Sequence, residues 1–260
     1  MNRIEKKFKE LKESKKKAFI AFITAGYPDL STTKELIREF DKAGVDIVEL
    51  GVPFSDPMAD GPVIQESSFE ALKKKTHLID ILKLVRRVRK TVDMPICLMT
   101  YYNPIFVFGE EKFVKQALAC GVDGVIVPDL PPEEGKSLIA LANKYNLDNI
   151  CFIAPTTSRQ RMQRIAKVSR GFIYYVSLTG TTGARKALPL DLVRNLKTIK
   201  RITAKPVCVG FGVSTASQVK QISRIADGVI IGSAIVKIIK ENIGKPDLVR
   251  KVSRFVKDLR

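Results

Sequence analysis

The stretch VDIVELGVPFSDPMADGP, residues 45–62, is the starting point for interpreting the whole chain. Its first six residues are mostly β-branched or aliphatic, which predicts a buried strand. Glu49 interrupts this strand near its end and, because strand side chains alternate, faces the same side as Val45 and Ile47. A second acid, Asp60, follows in a loop punctuated by proline and glycine. An acid at a strand end and another in the following loop could form an acid–base pair.

Each of these acids also has an ordinary structural explanation. A glutamate near a strand end is often solvated or ion-paired, and Asp56 and Asp60 could simply form turns. If the strand face is buried, loss of hydration raises the pKa of Glu49 and prepares it to exchange a proton. The remainder of the chain decides between these explanations.

The composition fits a globular α/β protein. The 260 residues, 45% of them hydrophobic, suit one large domain or two small ones, and no apolar run is long enough to span a membrane. The lysine-rich segment MNRIEKKFKELKESKKK lacks the apolar core of a signal peptide, so we expect a cytoplasmic protein. With Ile4, Phe8 and Leu11 on one face, this segment predicts a short amphipathic helix.

The reactive side chains exclude several mechanisms. Cys97, Cys120, Cys151 and Cys208 lie far apart without the spacing of metal ligands, which indicates reduced, inert thiols. His77 is the only histidine. A Ser-His-Asp or Cys-His mechanism and a histidine-based metal site are therefore not expected.

The formal net charge of +18 has three explanations: nucleic-acid binding, an anionic substrate, or a basic surface without a specific partner. The basic residues are spread over the predicted helices and both termini, and no nucleic-acid-binding motif occurs. We interpret the charge mainly as a solvated surface that also helps to attract a phosphorylated substrate.

Eight apolar strand candidates alternate with amphipathic helical segments. The predicted strands are 18–23, 45–51, 95–101, 124–129, 149–155, 171–177, 206–212 and 228–233. The predicted helices between them include 32–43, 79–92, 110–120, 133–145, 159–168, 190–202 and 215–225.

This alternation predicts an α/β fold, a single (β/α)8 TIM barrel spanning residues 1–260. A doubly wound open sheet is the alternative. The barrel should carry an extra N-terminal helix and a short phosphate-binding helix after strand 8, starting just after Ser233.

Barrel active sites lie at the carboxyl ends of the strands, where polar and glycine residues of this sequence gather. Gly210 and Gly212 end the seventh strand, and Gly232 and Ser233 end the eighth, next to the short helix. Free N–H groups at a helix start favour an anion, so these residues predict a phosphate subsite. The alternative is that the glycines only make tight turns. The small, hydroxylated loop 177–184 is typical of a lid, although an ordinary mobile loop has the same composition.

Seven motifs in this order resemble one family. They are FITAGYPD (22–29), VELGVPFSDPMADGPVIQ (48–65), LMTYYNP (98–104), GVDGVIVPDLPPEE (121–134), TGTTGA (179–184), VGFGVS (209–214) and IGSAIVK (231–237). Over nearly the whole chain, the sequence resembles the tryptophan synthase alpha subunit. The resemblance implies retro-aldol cleavage of indole-3-glycerol phosphate to indole and glyceraldehyde 3-phosphate.

The same resemblance implies roles for individual residues. Glu49 matches the general acid–base and Asp60 the carboxylate that faces the indole N–H. The positions that match the substrate-binding residues are Phe22, Tyr101, Tyr174, Thr182, Gly183, Gly210, Gly212, Gly232 and Ser233. A shift of one residue would replace Tyr101 by Tyr102 and Tyr174 by Tyr175. Three positions depart from the family pattern: Leu178 in the lid and Glu70 where arginine is expected, and Ala216 in place of a proline.

The resemblance also implies a partner. The family subunit works with a tryptophan synthase beta subunit in an alpha2beta2 complex, with pyridoxal phosphate in the beta subunit and no cofactor in the alpha subunit. Residues 53–60 and the region of Asn103 and Pro104 match the docking surface. Three alternatives stay open: a stand-alone lyase that releases free indole, a non-catalytic barrel that activates a partner, and a nucleic-acid binder.

Overall fold

The computed structural model describes residues 2–176, 190–210 and 212–260. In this part of the chain, eight parallel strands close into a barrel in sequence order, and the last strand pairs with the first. The strands are β1 (Ala18–Thr24), β2 (Ile47–Gly51), β3 (Ile96–Met99), β4 (Gly124–Ile126), β5 (Asp148–Ile153), β6 (Ile173–Val176), β7 (Val207–Gly210) and β8 (Gly228–Ile231). The predicted (β/α)8 barrel is confirmed.

Twelve helices occur in the same described ranges. They are α1 (Arg3–Glu13), α2 (Leu30–Ala43), α3 (Pro62–Lys73), α4 (Leu78–Val88), α5 (Tyr102–Phe108), α6 (Glu110–Cys120), α7 (Lys136–Tyr145), α8 (Arg159–Val168), α9 (Leu190–Ile202), α10 (Ala216–Ser223), α11 (Ser233–Glu241) and α12 (Leu248–Leu259). The extra N-terminal helix and the short helix after β8 are both confirmed. None of these helices is long and apolar enough to cross a bilayer.

Several predicted boundaries were wrong. Most predicted strands ran one to three residues too far at their carboxyl ends, because the apolar pattern continues into the loops that turn over the barrel mouth. Residue Val45 does not belong to β2. Its N–H donates to the carbonyl of Phe40 at 2.9 Å and closes the end of α2. Val45 therefore packs in the outer core and does not share the inner face of Ile47 and Glu49.

Two helices were not among the predicted segments. Helix α3 starts directly after the Asp60 loop, and its buried face consists of Ser67, Ser68 and Ala71. Helix α5 is seven residues long and buries only Ile105. Neither helix presents the continuous apolar stripe by which helices are identified from sequence.

Helix α1 covers the amino-terminal end of the barrel. Its apolar residues Ile4, Phe8 and Leu11 join the cluster of inward-facing strand residues. The rings of Phe8 and Phe172 lie 5.8 Å apart. This end of the barrel is therefore closed, and the opposite end is left for the site.

Aspartates at strand starts hold neighbouring strands together at the same closed end. The N–H of Phe19 donates to Asp46 at 2.8 Å, and that of Ile96 donates to Asp123 at 2.9 Å. Asp123 also pairs with Arg89, and its second oxygen accepts from Arg3 at 3.1 Å. The buried carboxyl groups of Asp46 and Asp123 are tolerated because hydrogen bonds and cations surround them.

The Asp123→Ala substitution is expected to lower the free energy of unfolding by about 3 kcal/mol, because it removes the carboxylate that pairs with the guanidinium of Arg89 and accepts the Ile96 N–H. Asp93→Ala is the matched control, since Asp93 also pairs with Arg3, at 2.7 Å, but is 82% exposed. That control should cost less than about 1 kcal/mol. Urea denaturation measures both, and equal small losses would contradict the role given to Asp123.

Candidate active site at the carboxyl ends of the strands

Glu49 lies inside the barrel near the mouth. Strand β2 places it between Phe22 of β1 and Cys97 of β3 in the strand register. Its side chain is fully buried, and neither carboxyl oxygen has a hydrogen-bond partner among the described residues. Burial raises the pKa of Glu49 from its ordinary value of 4.5 to about 8. At neutral pH this carboxyl therefore carries a proton that it can donate.

Asp60 lies in the loop between β2 and α3. Its Oδ2 accepts a hydrogen bond from the hydroxyl of Tyr101 at 3.1 Å. Burial raises the pKa of Asp60 to about 6, against the opposing effect of this hydrogen bond. At pH 7 Asp60 is therefore mostly ionised while Glu49 is mostly protonated. The two environments therefore separate the pKa values of the two acids.

In each of the two pairs of adjacent tyrosines, Tyr101–Tyr102 and Tyr174–Tyr175, one side chain faces the cavity. The hydroxyl of Tyr101 reaches Asp60, whereas that of Tyr102 donates outward to Glu110 at 2.9 Å. Tyr174 belongs to the inner cluster, whereas Tyr175 faces outward and accepts from the side chain of Asn195 at 3.0 Å.

Tyr174 lies close to both acids. Burial is the main cause that raises the pKa of Tyr174, and the charges of Glu49 and Asp60 raise it further. Its ring also contacts Phe152, at 4.7 Å between centroids. The cavity thus combines two carboxyl groups with an aromatic wall.

Glycines make room for the aromatic residues at the mouth. A Cβ atom at Gly51 would lie 2.6 Å from the ring of Phe22, and one at Gly232 would lie 3.2 Å from it. A Cβ atom at Gly210 would lie 2.6 Å from the ring of Tyr174. The missing side chain at Gly210 therefore makes room for the tyrosine ring, which is a role separate from the predicted phosphate subsite. Gly51 was not among the predicted site residues.

The predicted phosphate residues lie together at the ends of β7 and β8. Gly212 has a φ of +39°, a conformation that favours glycine. Helix α11 begins at Ser233, and no side chain of the described residues caps it at Gly232. The N–H groups of its first turn are therefore available to an anion. Thr182, Gly183 and the rest of segment 177–189, including Leu178, lie outside the described residues.

The remaining reactive groups supply no alternative site. In the ranges that the structure covers, no three His, Cys, Asp or Glu side chains are grouped to hold a metal ion. The four cysteines are free thiols, and burial raises the pKa of Cys97, Cys151 and Cys208. His77 begins helix α4 as its N-cap residue.

The Glu49→Gln substitution is expected to make the fold more stable, and increasingly so as pH rises from 5 to 8. The folded protein holds the Glu49 proton up to about pH 8 and the unfolded chain only to about 4.5, so the wild type loses stability through this window. The difference between the two proteins should grow by about 2–4 kcal/mol over the window.

Urea denaturation at several pH values measures this difference. Glu134→Gln is the matched control, because Glu134 is exposed. A pH-independent difference for Glu49→Gln, like that of the control, would show that Glu49 is not a buried acid.

The fold and the cavity define a class, that of barrel enzymes with a protonated acid and an ionised carboxylate at the carboxyl ends of the strands. Comparison with known proteins identifies the family. The tryptophan synthase alpha chain profile matches residues 8–259. The tryptophan synthase alpha chain of Geobacter sulfurreducens is 50% identical, over all of this chain and 98% of the relative.

Solved structures agree with this result. The chain superimposes on tryptophan synthase subunit alpha from Legionella pneumophila with a TM-score of 0.93 and 40% identity, covering 100% of this chain and 97% of that one. It matches a chain of the tryptophan synthase complex from Pyrococcus furiosus with a TM-score of 0.85 and 37% identity, over 93% and 97% of the two chains. The chain belongs to the tryptophan synthase alpha chain family, which cleaves indole-3-glycerol phosphate in tryptophan biosynthesis.

Proposed function

We propose that Glu49 and Asp60 carry out the family's lyase reaction in this chain, the cleavage of indole-3-glycerol phosphate into indole and glyceraldehyde 3-phosphate. The observation that carries the proposal is the pairing of a buried, protonated Glu49 with a largely ionised Asp60 at one barrel mouth. Two acids whose environments separate their pKa values can act at the same pH as proton donor and as carboxylate.

The reaction needs one proton delivered and one removed. Glu49 donates its proton to the indole carbon that carries the glyceryl group, and positive charge then develops on the ring nitrogen. The carboxylate of Asp60 accepts the ring N–H and stabilises this charge. Glu49 then takes the proton of the adjacent hydroxyl as the carbon–carbon bond breaks, which forms the aldehyde and regenerates the protonated acid.

The other residues bind the two ends of the substrate. Phe22, Tyr101 and Tyr174 form the aromatic wall for the indole ring. The start of α11 at Gly232 and Ser233, together with Gly210 and Gly212, binds the phosphate. Thr182 and Gly183 are assigned to the lid and the phosphate by the family motif alone.

Glu49→Gln is expected to abolish indole release, because the amide keeps the shape of the side chain but has no proton to exchange. Binding of the substrate should stay within about tenfold of wild type. The measurement is indole formation by the purified chain, with exposed Glu134→Gln as the control. A Glu49→Gln variant that keeps more than about 5% of the activity would remove Glu49 from this role.

We further infer that the chain acts as one domain, residues 1–260, in the cytoplasm, without a cofactor of its own. Its partner would be a tryptophan synthase beta subunit that holds pyridoxal phosphate and completes an alpha2beta2 complex. The match to a chain of the Pyrococcus furiosus tryptophan synthase complex supports this inference.

The predicted docking region contains exposed apolar side chains. Met58 is 92% exposed in the Asp60 loop, and Phe106 and Val107 are 67% and 79% exposed on α5. Tyr102, which begins α5, also contacts the ring of Phe106. Large exposed apolar groups of this kind are typical of surfaces that bind another protein.

The isolated chain is expected to be slow, and a beta subunit is expected to accelerate it about 5–150-fold. Asp60 lies on a loop whose residues Ser55, Asp56, Met58 and Ala59 are exposed. A partner bound there would favour the loop conformation in which Asp60 is placed for catalysis. By reciprocity, a substrate analogue should tighten the complex by the same factor.

The measurement is indole release with and without the beta subunit. Met58→Asp should remove most of the acceleration, whereas Ile243→Asp, at an exposed apolar residue that follows the carboxyl end of α11, should not. An isolated chain that is as fast as the complex would identify a stand-alone lyase. If the chain stimulates the beta subunit but releases no indole itself, it is a non-catalytic activator. Salt-dependent retention on DNA would favour a nucleic-acid binder.

A further inference from the structure

Tyr101 contacts the Asp60 loop at three points. Its ring stacks on that of Phe54, with the centroids 5.1 Å apart and 26° between the planes. Its hydroxyl oxygen accepts the N–H of Ala59 at 2.9 Å. The same hydroxyl donates to Oδ2 of Asp60 at 3.1 Å. A single side chain from the end of β3 therefore holds both the start and the end of the loop.

The direction of these hydrogen bonds is fixed by chemistry. The N–H of Ala59 can only donate, so the hydroxyl oxygen is the acceptor there. The single hydroxyl proton is then left for Asp60. A hydrogen bond donated to a carboxyl oxygen favours the ionised form, and it occupies only one of the two oxygens.

We propose that Tyr101 is a positioning residue, whose hydroxyl holds Asp60 as a carboxylate and leaves its other oxygen for the indole N–H. This role rests on the proposed function of Asp60. It goes beyond the lining role that the family motif gives to Tyr101, which needs only the ring.

The electrostatic surroundings of Asp60 are consistent with this role. Burial raises the pKa of Asp60, and the hydrogen bond from Tyr101 is the cause that lowers it. Among the described residues, Tyr101 and Tyr174 are the titratable groups that interact with this carboxyl, and Asp129 also faces Tyr101. Without the hydroxyl, burial acts alone, so the pKa of Asp60 should rise above about 6.

Other contacts should keep the loop folded without the hydroxyl. The side chain of Gln65 donates to the carbonyl of Asp60 at 2.9 Å, and the N–H of Asp60 donates to Pro57 at 3.0 Å. The Phe54 stacking also survives when tyrosine is replaced by phenylalanine. The variant Tyr101→Phe thus removes the hydroxyl alone.

The test is the pH profile of indole release by Tyr101→Phe in the full chain. We expect kcat to fall about tenfold at pH 7, with KM within about threefold. The acid limb of the profile should move up by about half to one pH unit, so the loss should be greatest at low pH. Tyr145→Phe is the matched control, because Tyr145 donates to a carboxylate, Glu111, at 2.5 Å on the surface and far from the site.

A measurement without catalysis separates this proposal from the proposed function. The Asp60 carboxyl can be titrated by carbon NMR in the wild type and in Tyr101→Phe, and we expect it to titrate at higher pH in the variant. A Tyr101→Phe protein whose kcat, acid limb and Asp60 titration all match wild type would overturn the role of the hydroxyl. A wild type that releases no indole, or an active Glu49→Gln, would instead overturn the proposed function and leave the NMR comparison to decide the role of Tyr101.

Discussion

The burial of the Glu49 carboxyl inside a closed barrel is the constraint on which the site depends. The Glu49 carboxyl, which is fully buried and has no hydrogen-bond partner in the described part of the chain, holds its proton to about pH 8. Such a group costs stability whenever it ionises, so the rest of the barrel must supply the free energy that keeps it in place. The continuous apolar clusters inside and outside the strands are that source.

The same burial dictates which residues surround the acid. Phe22 and Tyr174 are buried near Glu49, and their rings leave no room for a side chain at Gly51 and Gly210 and little at Gly232. Two of these glycines, Gly210 and Gly232, are also the residues proposed to contact the phosphate. The proposed indole and phosphate subsites therefore share these two glycines, and a side chain at either of them would disturb both.

Much of this arrangement could be predicted from the sequence, because its signals are local. Strands, helices with apolar stripes and the acids at strand ends all follow from side-chain periodicity. Helices α3 and α5 could not be predicted in this way, since their buried faces are small. The contacts of Tyr101, the outward direction of Tyr175 and the position of the Phe22 ring against Gly51 depend on how strands align. No pattern within a single strand contains that information.

The acids at the two ends of the barrel differ in the hydrogen-bond donors that surround them. Asp123 at the closed end accepts from Arg89, Arg3 and the Ile96 N–H, so its carboxylate is tied into the fold. Glu49 at the open end has no such partner among the described residues and keeps its proton. Asp60 is intermediate, with Tyr101 as its one side-chain donor in the ranges that the structure describes and a pKa of about 6. The partners of the three acids thus differ, and for Glu49 and Asp60 this difference fits the proposed roles of proton donor and charge stabiliser.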